Sequence, residues 1–128
     1  MLSNKVILDT NFLLIPYKYK LDIFKELKLL IGSVQFIISN KIIEELNSIA
    51  GRKGTAALQA RFALKILDKY KSDILVVLSE KKVDDWIIDY SQEHRTIVCT
   101  DDIKLKNILR KNNIRVIMVK SKSKVDFA

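Results

Sequence analysis

Short apolar runs recur along the chain, separated by longer stretches in which apolar residues return every three or four positions. Lys5 to Leu8, Val34 to Ile38, Ile74 to Leu78, Thr96 to Cys99 and Arg115 to Val119 are continuous rather than alternating, the pattern of strands buried on both faces. Helical spacing marks Leu21 to Leu30, Lys41 to Ala50, Ala56 to Tyr70, Val83 to Glu93 and Ile103 to Lys111. Strands alternating with helices need crossover connections, and right-handed crossovers lay down a parallel sheet covered on both faces. The expected fold is therefore α/β: a three-layer α/β/α sandwich around a central parallel β-sheet of about five strands.

Pro16 interrupts Phe12 to Leu21, so the first helix is expected to break there and resume near Leu21. Gly51 to Gly54, reading G-R-K-G, is the clearest loop, and K-S-K-S-K at Lys120 to Lys124 reads as frayed. With 128 residues, 48% of them hydrophobic, the chain can build one core but not comfortably two. Residues 1–120 are read as a single domain and 121–128 as a basic, flexible C-terminal tail.

In parallel sheets the functional crevice lies beyond the carboxyl ends of the strands. Asp9-Thr10-Asn11 follows the first strand and Thr100-Asp101-Asp102 the fourth. Asp9 at the rim of the sheet is costly unless compensated, by a cation or by capping the next helix. Projection at about 100° per residue places Glu45 beside the stripe of Ile42, Leu46 and Ile49, with Glu44 turned to solvent. The same projection puts Asp84 inside the apolar arc of Val83, Trp86 and Ile87, with Asp85 opposite. A carboxylate in such an arc is paired in a salt bridge, hydrogen-bonded or coordinated. Two aspartates after the fourth strand exceed what capping needs, and spacing does not choose between Asp101 and Asp102.

Brought to one crevice, Asp9, Glu45, Asp84 and Asp102 would raise one another's proton affinity, a conflict that a divalent cation removes. An all-oxygen donor set suits Mg2+ or Mn2+ rather than zinc. His94 reads as a solvated residue, and Cys99, the single cysteine, as a small buried apolar one, which excludes an intramolecular disulfide and a cysteine zinc site. Gly32, Gly51 and Gly54 are the only glycines, so there is no phosphate-binding glycine loop. Ser79 stands after the third strand where a phospho-receiver domain would need its acceptor aspartate, and a phosphatase with an aspartyl nucleophile would want an aspartate at Asn11.

Charge changes the picture of the partner. Lysine and arginine outnumber aspartate and glutamate by 23 to 15, a net +8 that favours polyanions, nucleic acid first. No apolar run approaches a membrane span, and the start M-L-S-N-K-V-I-L lacks a secretory signal pattern, so no membrane association and a cytoplasmic location are expected.

V-I-L-D-T-N with Asp9, E-E-L with Glu45, V-D-D-W-I with Asp84 and C-T-D-D-I-K-L with Asp102 together resemble the PIN domain, a family of metal-dependent ribonucleases. The likeness runs from about Lys5 to Val119, and D-T-N-F-L-L-I-P-Y is similar to small archaeal single-domain members of toxin-like or ribosomal-RNA-processing kind. The resemblance implies four carboxylates, Asp9, Glu45, Asp84 and Asp102, holding Mg2+ or Mn2+, and it selects Asp102 as the direct ligand. Asp101, where other members often have asparagine, stands as an additional metal candidate. Asn11 occupies the place of a small polar residue that hydrogen-bonds Asp9, and Thr100 a comparable supporting place beside Asp102.

The activity so implied is RNA phosphodiester hydrolysis, in RNA processing or as a toxin. Lys18, Lys20, Arg52 and Lys53 are candidates to hold the RNA backbone, with Tyr17 and Tyr19 available to stack on bases. The rival is a binding module with little turnover, serving ribosome assembly or an antitoxin protein. A homodimer is a family-level expectation, for which the helices at Leu21 to Leu30 and Ala56 to Tyr70 carry spare apolar residues.

Overall fold

In the computed structural model, which describes residues 3–128, strands β1 (Asn4–Leu8), β2 (Val34–Ser39), β3 (Ile74–Val77), β4 (Ile97–Cys99), β5 (Val116–Ser121) and β6 (Lys124–Phe127) form one sheet. Their order is β3-β2-β1-β4-β5-β6. The first five are parallel, as the crossover argument requires, with Val6 beside Phe36 on one side and Ile97 on the other. Helices α1 (Thr10–Leu13), α2 (Ile15–Tyr19), α3 (Ile23–Ile31), α4 (Asn40–Ala50), α5 (Thr55–Lys69), α6 (Val83–His94) and α7 (Ile103–Lys111) flank it, in the three-layer α/β/α arrangement.

Burial grades from the centre of the sheet outward. Val6, Ile7 and Leu8 of β1, Phe36 and Ile37 of β2 and Val98 and Cys99 of β4 are fully buried or nearly so. β3 departs from the expectation that every continuous apolar run is buried. It is an edge strand, and Leu75 and Val76 remain 41% and 42% exposed, because only β2 pairs with it.

The C-terminal segment also differs from the frayed tail expected. Residues 124–127 turn back as β6, antiparallel to β5, with Val125 opposite Val119. Val125 is buried and the Arg115 guanidinium lies 4.2 Å from the Phe127 ring centroid, so an otherwise polar segment gains an apolar and cation–π anchor.

Pro16 does not break a helix. It stands in the first turn of α2, where a missing N–H goes unneeded, and the chain bends instead at Leu14 and at Lys20, whose φ is 51°. Gly54, at φ 95°, makes the turn into α5, which packs against α4 and α2 and buries Ala57, Ala60 and Ala63. Leu58 and Phe62 on α5 and Leu29 on α3 stay exposed. Among the described residues, no helix is long and apolar enough to cross a membrane.

Candidate active site

From β1 the sheet grows through β2 to β3 on one side and from β4 to β5 on the other, so the carboxyl ends of β1 and β4 flank the point where strand order reverses. This is where a parallel α/β sheet opens a crevice. Asp9 follows β1 and caps α1, its Oδ1 accepting from the Thr10 N–H at 2.8 Å. Asp102 follows β4 and caps α7, its Oδ1 accepting from the Leu105 N–H at 3.2 Å. Capping and a ligand role, alternatives on the sequence, are compatible in this geometry, because each cap takes one of the several lone-pair sites of its carboxylate.

Thr100 ties the two together. Its fully buried hydroxyl donates to Asp9 Oδ2 at 2.7 Å and accepts from the Asp102 N–H at 3.1 Å. One side chain therefore sets the orientation of both carboxylate segments.

Burial pushes the Asp9 carboxyl up from 3.8 to about 6, against the lowering effect of the Thr100 hydrogen bond; the Asp84 charge adds to the rise, the Thr10 amide opposes it, and the Asp102 charge adds again. Asp84 is likewise raised, by partial burial, by Asp102 and by Asp85. Asp9, Asp84 and Asp102 thus lie within one another's electrostatic reach.

A cleft of about 910 Å³ is lined by Glu44 and Glu45 of α4 and by Asp84 and Asp85 of α6, with Lys41, Lys81 and Lys82 at its rim. The helical projections expected Glu44 to leave the site and Asp84 to be enclosed. In the structure Glu44, Glu45 and Asp84 are all exposed. Asp84, in the first turn of α6, lines the cleft instead of the core. Glu44 is nonetheless distinguished by its partners, lying 3.6 Å from the Lys41 Nζ and 3.4 Å from the Asn40 Nδ2.

Asp101 and Asn11 are placed differently from the other candidates. Asp101 Oδ1 accepts from the Val119 N–H at 3.1 Å, a bond to β5. Asn11 lines a small separate hollow with Asp101, Lys18, Tyr19 and Gln59. The side chain that hydrogen-bonds Asp9 is that of Thr100, and the place implied for Asn11 is filled from across the sheet.

Among the described residues, no three His, Cys, Asp or Glu side chains stand close enough to share a cation. Asp9, Asp84 and Asp102 feel one another's charge, whereas Glu45 lines the cleft beside Asp84. The donor chemistry still fits a hard divalent ion: the nearby groups are carboxylates, and the buried Ser39 and Thr10 hydroxyls have no hydrogen-bond partner. Ser39 ends β2, two steps beyond the Ile7–Ile37 pair and so level with Asp9.

The basic candidates fall in two places. Lys18 and Lys20 line a groove between α2 and α5, whereas Arg52 and Lys53 are exposed in the α4–α5 turn, where the Arg52 carbonyl accepts from Arg61 at 3.5 Å. Lys41, Lys81 and Lys82 escaped the sequence reading. Their nearness in sequence to E-E and D-D was the available signal. His94 is exposed and lies on Tyr90, with ring centroids 4.2 Å apart.

Residues 6–122 match the family described as "PIN like domain". The chain is 32% identical over 123 residues to Ribonuclease VapC4 of Methanocaldococcus jannaschii, covering 92% of each. It is 30% identical over 127 residues to Ribonuclease VapC9 of Archaeoglobus fulgidus, covering 96% of this chain and 90% of the relative. Among solved structures, the PIN domain endonuclease Utp24 superposes with a TM-score of 0.79 at 26% identity, over 96% of this chain and 90% of that one. A domain of a functionally unknown Methanocaldococcus jannaschii protein shares the fold, with a TM-score of 0.66 at 19% identity over 93% of each chain.

Proposed function

The chain belongs to the PIN-like domain family, and on that footing we propose that it is a metal-dependent endoribonuclease, with Asp9, Glu45, Asp84 and Asp102 holding Mg2+ or Mn2+. Its named relatives are two ribonucleases and a PIN endonuclease, so nuclease activity is what they have in common, and RNA is the substrate class of the two ribonucleases. The observation that carries the assignment to this site is the Asp9–Thr100–Asp102 arrangement at the strand-order reversal, with Asp84 in electrostatic reach.

A cation bound there would polarise a water and neutralise charge developing on the scissile phosphate. Thr100 and the Thr10 amide fix the Asp9 carboxylate, so that it meets a ligand without reorganising. The Leu105 amide occupies Asp102 Oδ1, leaving Oδ2 for the cleft. Glu45 and Asp84, exposed in the cleft between α4 and α6, would supply the remaining carboxylates. Lys41 and Lys82 stand where phosphates flanking the cleaved bond would pass. Asp101, held by β5, supports the Asp102 turn and is assigned no direct contact.

The test is cleavage of a single-stranded RNA with and without chelator. Activity should vanish in chelator and in the double variant Asp9→Asn, Asp102→Asn. Cleavage that survives either treatment would place the chemistry elsewhere.

A further inference from the structure

A second concavity, of about 890 Å³, runs between α2 and α5. Its aromatic walls are Tyr17 and Phe62, in an edge-to-face pair with centroids 5.9 Å apart and each about two-fifths exposed. Leu21 and Ile66 form the apolar floor, and Lys18, Lys20, Lys65 and Lys69 the rim. Asp22 is the only carboxylate lining it, and both its oxygens are committed, one to the Tyr70 hydroxyl at 2.6 Å and one to the Lys25 N–H at 3.1 Å. None of the four lysines forms an ion pair with a described carboxylate. The Lys18 and Lys69 ammoniums lie 5.2 Å from the ring centroids of Tyr19 and Tyr70.

An apolar, aromatic trough edged with unpaired cations fits a polyanion that also carries flat apolar faces. Single-stranded nucleic acid has both, since its bases stack on aromatic rings while its phosphates take the lysines. A duplex buries its base faces and offers nothing to Tyr17 and Phe62.

Continuity selects the strand over an acidic protein segment. The groove shares Lys18 and Gln59 with the small hollow of about 250 Å³ that also contains Asn11 and Asp101. Those two residues lie beside Asp9 and Asp102 in the chain. The aromatic groove thus continues, through Lys18 and Gln59, to residues within two chain positions of Asp9 and Asp102. A strand cleaved at the crevice needs such continuity, and an acidic peptide bound in the groove does not.

We propose that the α2–α5 groove is a subsite for unpaired nucleotides of the RNA strand being cleaved, with bases against Tyr17 and Phe62 and phosphates on Lys18, Lys65 and Lys69. This rests on the nuclease reading above, and it makes that nuclease selective for RNA that is single-stranded beside the cut. Gln59, half-buried between the two hollows, would contact the sugar or base edge at the junction.

The test is equilibrium binding of a fluorescent single-stranded oligoribonucleotide in chelator, so that cleavage does not interfere, by three double variants that keep the wild-type melting temperature. Tyr17→Ala with Phe62→Ala should weaken binding about tenfold or more. Lys65→Gln with Lys69→Gln should weaken it comparably and flatten the slope of affinity against salt by roughly one to two. Lys5→Gln with Lys111→Gln, outside the groove, should change affinity less than about twofold on the same grounds. Equal losses in all three would reduce the binding to a diffuse field and overturn the proposal. So would retained RNA affinity in the groove variants, whether or not they lose binding to an acidic amphipathic peptide. Because binding in chelator is read apart from cleavage, groove-dependent binding by a wild-type protein that cannot cut RNA would instead refute the nuclease reading.

Discussion

Asp9 and Asp102 reach the crevice by one physical route, Asp84 and Glu45 by another. The first pair stand at the ends of parallel strands, their orientation fixed by backbone amides and by one buried threonine hydroxyl. The second pair are exposed on helices α4 and α6 and line one cleft. On the proposed reading half of the site is built by the fold before any ligand arrives. On the same reading the other half consists of exposed side chains, which lowers the electrostatic cost of assembling four carboxylates around a cation.

Substitution should separate the two halves. Thr100→Val removes a buried donor to Asp9 and a buried acceptor for the Asp102 amide. It should cost about 1–3 kcal/mol of stability, measured by chemical denaturation. Because the lost hydrogen bond lowers the Asp9 pKa, the acid limb of the activity profile should move to higher pH. Asp84→Asn and Glu45→Gln, on the open wall, should leave stability within about 0.5 kcal/mol of wild type while cutting RNA cleavage by at least about tenfold. A stability loss for Glu45→Gln as large as that for Thr100→Val would erase the distinction.

The same division explains what could be read from the chain. Asp9 and the Asp101-Asp102 pair were legible as candidates because carboxylates just after an apolar run mark a strand end, and strand ends in parallel sheets are where ligands sit. Asp101 against Asp102 was not legible by spacing. What separates them is the Val119 amide, on a strand 18 residues away, which takes the Asp101 carboxylate. Asp84 was singled out by a helical arc that implied burial, yet it is exposed and lines an open cleft. An apolar run likewise cannot announce that it is an edge, as β3 is, and K-S-K-S-K cannot announce that β5 has an unpaired side waiting for β6. The α2–α5 groove was half visible. Tyr17, Lys18 and Lys20 stood out, but Phe62, Lys65 and Lys69 acquire a role only when α5 is laid beside α2.

A Mn2+ titration followed by the spectroscopic signal of the free ion, at pH 5, 6 and 7, reads the acidic site without any RNA. With Asp9 titrating at about 6, its proton competes with the cation, so one saturable class of binding should appear at pH 7 and weaken by about tenfold toward pH 5. It should be absent at every pH in the Asp9→Asn, Asp102→Asn variant. Binding of equal strength in that variant, or affinity indifferent to pH across this range, would contradict a single cation site built on Asp9 and Asp102.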